Sequence, residues 1–330
     1  MRHLERTAAC LTALIAVLAT TLPSPPASAT ATAAYTVWHW NVAGNKMHHG
    51  STSDGMVAGA VASILNRDAD LVAFNELCWG QYRSIQAELR SGGWPADPTN
   101  YSRFATILGP TPGVCDGNEN YGNAIFSKRP LGPASRFTLP SDGSREQRNL
   151  LCGHLLDAPR VRFCTTHITP SNAIGDNGQK HNVNQLTFVL DRLEGYGAEG
   201  DTVIIAGDFN AQPHYGRLNT WYSSTLDTAH NSGNTGHYRE LDDNDLGHCP
   251  GYGEWTATGT PSPAPPCAAV QPRAKIDMIF VRQDRIAGPY MGDSLGISTS
   301  CTGIPATEKY PAGSCSDHRI LFGTVTVTAG

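Results

Sequence analysis

Residues 201–210, DTVIIAGDFN, constrain this chain more than any other stretch. A short apolar run bounded by turn formers is the pattern of a buried strand. Here the run ends on Gly207, Asp208 and Asn210, so a bare carboxylate and a primary amide stand at the tip of an oily strand. Polar groups in such a place need hydrogen-bonding or charged partners. If the tip is an active site, other parts of the chain must supply them.

Seven further segments read as strands: residues 36–42, 70–75, 123–127, 150–156, 161–168, 276–281 and 320–327. Residues 150–156 and 161–168, joined across DAPR, read as a hairpin. Helices are expected at 55–66, at 81–90 and at 179–195, where Val183, Leu186, Val189, Leu190 and Leu193 recur at helical spacing. Another helix is expected to begin near Pro213, with Trp221 and Tyr222 after it as packing residues. Residues 228–274, rich in Gly, Pro, Asn and His, read as a long surface excursion. Strands interleaved with helices and hairpins predict one mixed α/β domain with layered sheets, spanning residues 30–330.

Residues 1–29 read as an export signal. Arg2 and Arg6 precede an apolar run from Thr7 to about Ala19, and Ala27–Ser28–Ala29 offers a small-residue cleavage site. That run falls short of the roughly 20 residues a membrane span needs. Secretion gives the cysteine count a meaning. Of nine cysteines, Cys10 leaves with the signal, and the remaining eight read as four disulfides. Eight cysteines allow 105 connectivities; pairing nearest neighbours gives Cys78–Cys115, Cys152–Cys164, Cys249–Cys267 and Cys301–Cys315. The hairpin supports the second pair, because its two cysteines fall on facing strands. The absence of a C-x2-C pair argues against a zinc–thiolate site. A net charge of −5 excludes a generally basic coat, but not a local cationic groove or metal-assisted binding of a polyanion.

Several other strands also end on polar side chains: Asn41 in WNVAGN, Asn75–Glu76 in FNELC, and Thr166–His167 in TTHITP. Asp277 interrupts the apolar KIDMIF, and Asp317–His318 in SDHRIL precede the last strand. Singly, such residues are usually caps or turn formers. Together with YGNAIFSK and GDFN, in this order over residues 35–325, they make the chain resemble the endonuclease/exonuclease/phosphatase superfamily of deoxyribonuclease I-like enzymes. The resemblance implies a four-layered α/β sandwich, two central mostly antiparallel sheets flanked by helices, with the site at one rim. It also implies a set of roles. Glu76, Asn41 and Asp317 are metal ligands for Mg2+ or Mn2+, with Ca2+ as a further candidate; oxygen donors suit such ions. His318 transfers a proton and Asp277 holds its ring. Asp208 and Asn210 orient the attacking water or grip the phosphate, and His167 is a second phosphate contact or proton donor. Tyr121, Asn123 and Arg148 are candidate phosphate contacts, with a surface salt bridge as the alternative for Arg148. His48 and His49, adjacent on a Gly/Ser-rich loop, read as exposed.

The chain departs from that family at Cys78, where relatives often carry a basic residue two positions after the glutamate. It departs again at Asn75, where glutamine is more usual. The implied function is a secreted, monomeric, divalent-metal-dependent phosphodiesterase, a nuclease acting on DNA or RNA. A secreted sphingomyelinase of the phospholipase C type, acting on a lipid head group, is the alternative. It would need an exposed aromatic hairpin, for which only Trp221–Tyr222 and Tyr252–Trp255 offer themselves. A catalytically inactive binding module is the third reading, disfavoured because Glu76, His167, Asp208, Asn210, Asp277, Asp317 and His318 are all present.

Overall fold

A computed structural model describes residues 31–258, 266–267 and 273–329; the export signal expected at 1–29 lies outside them. In chain order the first elements are β1 (Thr32–Asn41), α1 (Met56–Asn66), β2 (Leu71–Cys78), α2 (Trp79–Ser91), β3 (Ser102–Leu108) and β4 (Tyr121–Ser127). Next come β5 (Leu131–Thr138), β6 (Asn149–Leu155), β7 (Val161–His167), α3 (His181–Ala198) and β8 (Thr202–Asp208). The last are β9 (Tyr238–Glu240), β10 (Ala257–Thr258), β11 (Arg273–Ala274), β12 (Asp277–Arg282), β13 (Ile286–Leu295) and β14 (Ile320–Thr328).

Two six-stranded sheets form the centre, in the orders β13-β14-β1-β2-β4-β3 and β5-β6-β7-β8-β12-β9. Each is antiparallel except at one central pair, β1–β2 in the first and β7–β8 in the second. Each parallel pair is joined by a crossover carrying a helix, α1 or α3, as parallel neighbours require. Strand alternation sorts the side chains into layers. Val37, Leu71, Ile125, Phe163, Ile204 and Ile279 meet between the sheets. Trp38, Trp40, Phe74 and Phe126 face α1 and α2, while Val203, Ile205 and Phe280 face α3. The result is the expected sandwich: helices, sheet, sheet, helix.

The four disulfides join the nearest-neighbour pairs, and Cys152 and Cys164 stand opposite one another in the β6–β7 register. Three local expectations need correcting. Near Pro213 the chain forms only a 3-10 turn, Gly216–Leu218. Residues 228–274 are not wholly a surface excursion: they supply edge strand β9 and bury Asp242, Asp243 and Tyr252. His48 is buried, with Nδ1 2.6 Å from Asp54 Oδ2 and Nε2 2.8 Å from the Cys315 carbonyl oxygen, so it locks a loop; only His49 is exposed. Trp221 and Tyr222 are fully buried, as expected of packing residues.

Candidate active site

Both parallel pairs end at the same rim, which gathers Asn41, Asn75, His167 and Asp208 at neighbouring strand tips. The register sets Asn41 beside Asn75, and His167 beside Asp208. Asp277, at the start of antiparallel β12, stands directly opposite Asp208. Gly207 is required for this closeness, since a Cβ there would lie 2.2 Å from the Thr166 carbonyl oxygen. Glu76 reaches the rim through a β-bulge. The β2–β4 register shifts between Phe74 and Leu77, and Glu76 takes φ 59°, a left-handed conformation rare for a non-glycine residue. Bulges re-aim side chains in this way.

Asn41 ties the two sheets together. Its Nδ2 donates to Glu76 Oε1 and to Asp208 Oδ2, both at 3.1 Å, while its Oδ1 accepts the Ala43 N–H. The amide thus presents its donor side to the carboxylates in this arrangement, while its oxygen is engaged by the Ala43 N–H. Asp208 Oδ2 also lies 3.4 Å from His167 Nε2 and 3.8 Å from His318 Nε2. Asn210, held at φ 45°, donates its backbone N–H to Asp208 Oδ1 and its Nδ2 to the Ile168 carbonyl oxygen.

Asp277 is gripped from two sides. His318 Nδ1 lies 2.8 Å from its Oδ2, and His39 Nε2 lies 2.9 Å from its Oδ1. His39 is absent from the sequence reading. Its signal is the alternation itself: in VWHWN, His39 lies between two tryptophans that face the helices. That puts it on the inner face with Val37 and Asn41. His318 is fixed through its backbone, its carbonyl oxygen accepting from Trp40 Nε1 at 3.1 Å and its N–H donating to Ser316 Oγ at 3.0 Å.

These contacts push the protonation states apart. Burial alone would favour a neutral His318, but the charge and hydrogen bond of Asp277 outweigh it and raise the imidazole to about 10. Burial and the adjacent Asp277 charge raise Asp208 to about 7, against the pull of His318. Burial favours a neutral Asp277 too, yet the two histidines hold it well below the usual carboxylate range. His167 is driven well below the ordinary imidazole value by burial and then by the Arg148 charge.

The remaining candidates divide. Asn123 is fully buried, accepting from Asn75 Nδ2 and donating to Asn149 Oδ1. It braces the strands and cannot touch a phosphate, which corrects that expectation. Tyr121 is buried with its hydroxyl against the Glu76 carboxylate, so it positions that acid instead of presenting a free phosphate contact. Arg148 pairs with Glu146 through Nη2 at 2.9 Å, while its Nε and Nη1 are buried without a partner beside an open cleft. Asp317 and Glu76 both act on Lys46, whose Nζ lies 3.3 Å from Asp317 Oδ2. Lys46 thus pairs with Asp317 and feels the Glu76 charge, and both acids offer the oxygen donors that suit a hard divalent cation. Among the described residues, Asp208, Asp277 and His318 bring ligating atoms within 4.8 Å of one another at this rim. They are already engaged with one another.

Residues 38–318 match the Endonuclease/Exonuclease/phosphatase family. The chain belongs to that family. Family members hydrolyse phosphoric ester bonds and generally depend on a divalent metal, commonly Mg2+, and this family member is a hydrolase of that class. Similar folds include an endonuclease/exonuclease/phosphatase from Beutenbergia cavernae (TM-score 0.57, 17% identity, 89% of this chain and 72% of that one). Another is the human Nocturnin catalytic domain with bound sulfate (0.56, 15%, 92% and 98%). A third is D. rerio TDP2 complexed with a single-strand DNA product (0.55, 16%, 88% and 98%). No curated protein matches the sequence.

Proposed function

We propose that this family member is a secreted, monomeric, metal-dependent nuclease that hydrolyses DNA or RNA phosphodiesters, with one catalytic domain over residues 30–330 behind an export signal at 1–29. The observation that carries the chemistry is geometric: Asp208 and Asp277 stand opposite one another at the strand tips, and His318, 2.8 Å from Asp277 and 3.8 Å from Asp208, lies between them. The Asp277 charge therefore favours the imidazolium, while burial and that same charge raise Asp208. Groups pushed apart in this way divide the work of base and electrophile. Asp208, held by the Asn210 backbone N–H, takes the proton of the attacking water, and the departing oxygen takes a proton from solvent. In-line displacement sets the entering and leaving oxygens on opposite sides of phosphorus. His318, only 3.8 Å from Asp208, is therefore on the side of the base. Its imidazolium serves the phosphoryl oxygens, and Asp277 with His39 holds the ring. His167, kept neutral, faces Asp208 and Glu76. Arg148 offers two unpartnered guanidinium nitrogens to a phosphate.

Glu76 and Asp317 would hold the cation, Mg2+ or Mn2+ by donor type and Ca2+ by extension. It would supply Lewis-acid polarisation of the phosphoryl oxygen. Four disulfides support an oxidising, extracellular setting. The DNA product bound to D. rerio TDP2 supports a nucleic-acid substrate. The sphingomyelinase reading finds little support: Trp221, Tyr222 and Tyr252 are buried, and the half-buried Trp255 is covered by the Arg273 and Arg319 guanidinium groups. A panel of duplex DNA, single-stranded DNA, RNA and sphingomyelin vesicles, with EDTA and with restored Mg2+, tests the proposal. Metal-dependent cleavage of a nucleic acid is expected, and choline-phosphate release without nucleic-acid cleavage would overturn it.

A further inference from the structure

Two clefts flank the catalytic strand tips. The first, about 570 Å³, carries mixed charge: Arg145 and Arg148 line it together with Asp142 and Glu146, from the β5–β6 connection, and Thr169 from the end of β7. The second, about 240 Å³, is lined by Arg273, Arg319, Lys309 and Trp255, with His318 and Asp317 in its wall. Strand order sets them on opposite flanks. In one sheet β6 and β12 lie on either side of the β7–β8 pair; in the other β3 and β14 lie on either side of β1 and β2. The first cleft draws on the β3 and β6 side, the second on residues leading into β12 and β14.

The second cleft opens from the His318 and Asp317 side of the site, and its Arg273, Arg319 and Trp255 have no role in the chemistry above. The guanidinium carbons of Arg273 and Arg319 lie 4.3 and 4.7 Å from the Trp255 ring centroid, within the range of a cation–π contact. Arg319 Nη2 donates to the Ser294 carbonyl oxygen, whereas its Nε is buried without a partner. Among the described residues, no hydrogen bond holds the Arg273 guanidinium. Glu254 and Asp293 act on Arg319 but do not line the cleft. Three cations against one carboxylate, beside an aromatic face, suit a phosphate of a polynucleotide backbone.

The geometry points to Arg273 and Arg319, braced on Trp255, as a subsite for the phosphate flanking the one that is cut, on the flank opposite the Arg148 cleft. The strand then enters at one cleft and leaves at the other, so cleavage is internal and needs no chain end. This rests on the nucleic-acid reading of the site.

A closed circular single-stranded DNA tests it against a linear strand of the same sequence and bis(p-nitrophenyl) phosphate. The circle is expected to be cut about as fast as the linear strand. Arg273→Gln/Arg319→Gln is expected to lower kcat/KM on the circle about tenfold or more, and to flatten the salt dependence by about 0.7 per lost phosphate contact. On the chromogenic diester, which has no flanking phosphate, its loss is much smaller. Arg273→Gln alone, remote from the Ser294 contact, gives the same pattern at smaller size and guards against misfolding of the double variant. Cutting of the linear strand alone would overturn internal cleavage. Equal losses on the circle and the chromogenic diester, or none on the circle, would overturn the subsite. Turnover of the chromogenic diester without cutting of any DNA or RNA would instead bring down the nucleic-acid reading, and the subsite with it.

Discussion

Asp208 and Asp277 face each other across β8 and β12, yet they do different work because their neighbours differ. Two imidazoles hold Asp277 ionised, whereas Asp208 accepts from the Asn41 side chain and the Asn210 backbone N–H and has two more distant histidines and a like charge beside it. With Asp208 active when ionised and His318 active when protonated, kcat/KM should rise with pH through about 7 and fall through about 10. A pH–rate profile checks this; a flat profile from pH 6 to 11 would refute the assignment. Asp208→Asn should cost about 10² to 10⁴ in kcat, the usual range for a proton-transfer group. His39 acts through Asp277 and does not reach the phosphate. Replacing it with Leu leaves one buried carboxylate oxygen unpaired, at about 1–3 kcal/mol of stability. Its kcat should fall with KM nearly unchanged, and the alkaline limb should move down as His318 loses its fixed partner. His39→Gln, which can still donate to Asp277, should recover part of both.

At the level of elements, the eight strands expected from sequence are the eight interior strands of the two large sheets; of the six missed, β3, β5, β9 and β13 are the four edges, and β10 and β11 form a separate two-stranded ladder. Interior strands are apolar on both faces and stand out. Edge strands need satisfy only one ladder, so β5 carries Gly132–Pro133 and β13 carries Gly288–Pro289 and Gly292, residues that read as turns. The short edge strand β9 is anchored by charge. Lys275 is fully buried, its Nζ 2.8 Å from Asp242 and 3.3 Å from Glu240, which joins the chain after β9 to the approach to β12. Breaking a buried pair strands its partners uncompensated, so Lys275→Ala should cost about 3–5 kcal/mol. Urea denaturation measures this, and a loss under 1 kcal/mol would show that the acids find other partners.

Across the whole molecule, the site exists because two sheets, each with one parallel pair, bring those pairs to a common rim. The Cys78–Cys115 bridge fastens that rim just beyond Glu76, closing a separation of 37 residues. A loop of that size restricts the unfolded chain by about 4 kcal/mol. Cys78→Ser/Cys115→Ser should lose roughly that stability in thermal or urea melts. Its metal affinity, read by Mg2+ titration of activity, should fall too, because the Glu76 bulge loses its tether. Unchanged Mg2+ dependence would mean that Tyr121 and Asn41 fix the glutamate without the bridge.

The interior strands and the polar residues that end them were legible in the chain, because apolar runs and their terminators are local properties. The cysteines were legible as an even set, and the nearest-neighbour choice among 105 connectivities is the one the fold makes. Which tip residues meet the reacting space depends on how the two sheets stack. Asn123 and Asn41 are both amides on interior strands, but one is spent bracing Asn75 and Asn149 and the other bridges Glu76 to Asp208. His39, 238 residues from Asp277 along the chain, becomes its partner only when the sheets stack. The two clefts likewise arise from connections remote in sequence. Their placement on opposite flanks follows from strand order, which long-range pairing sets and no local pattern encodes.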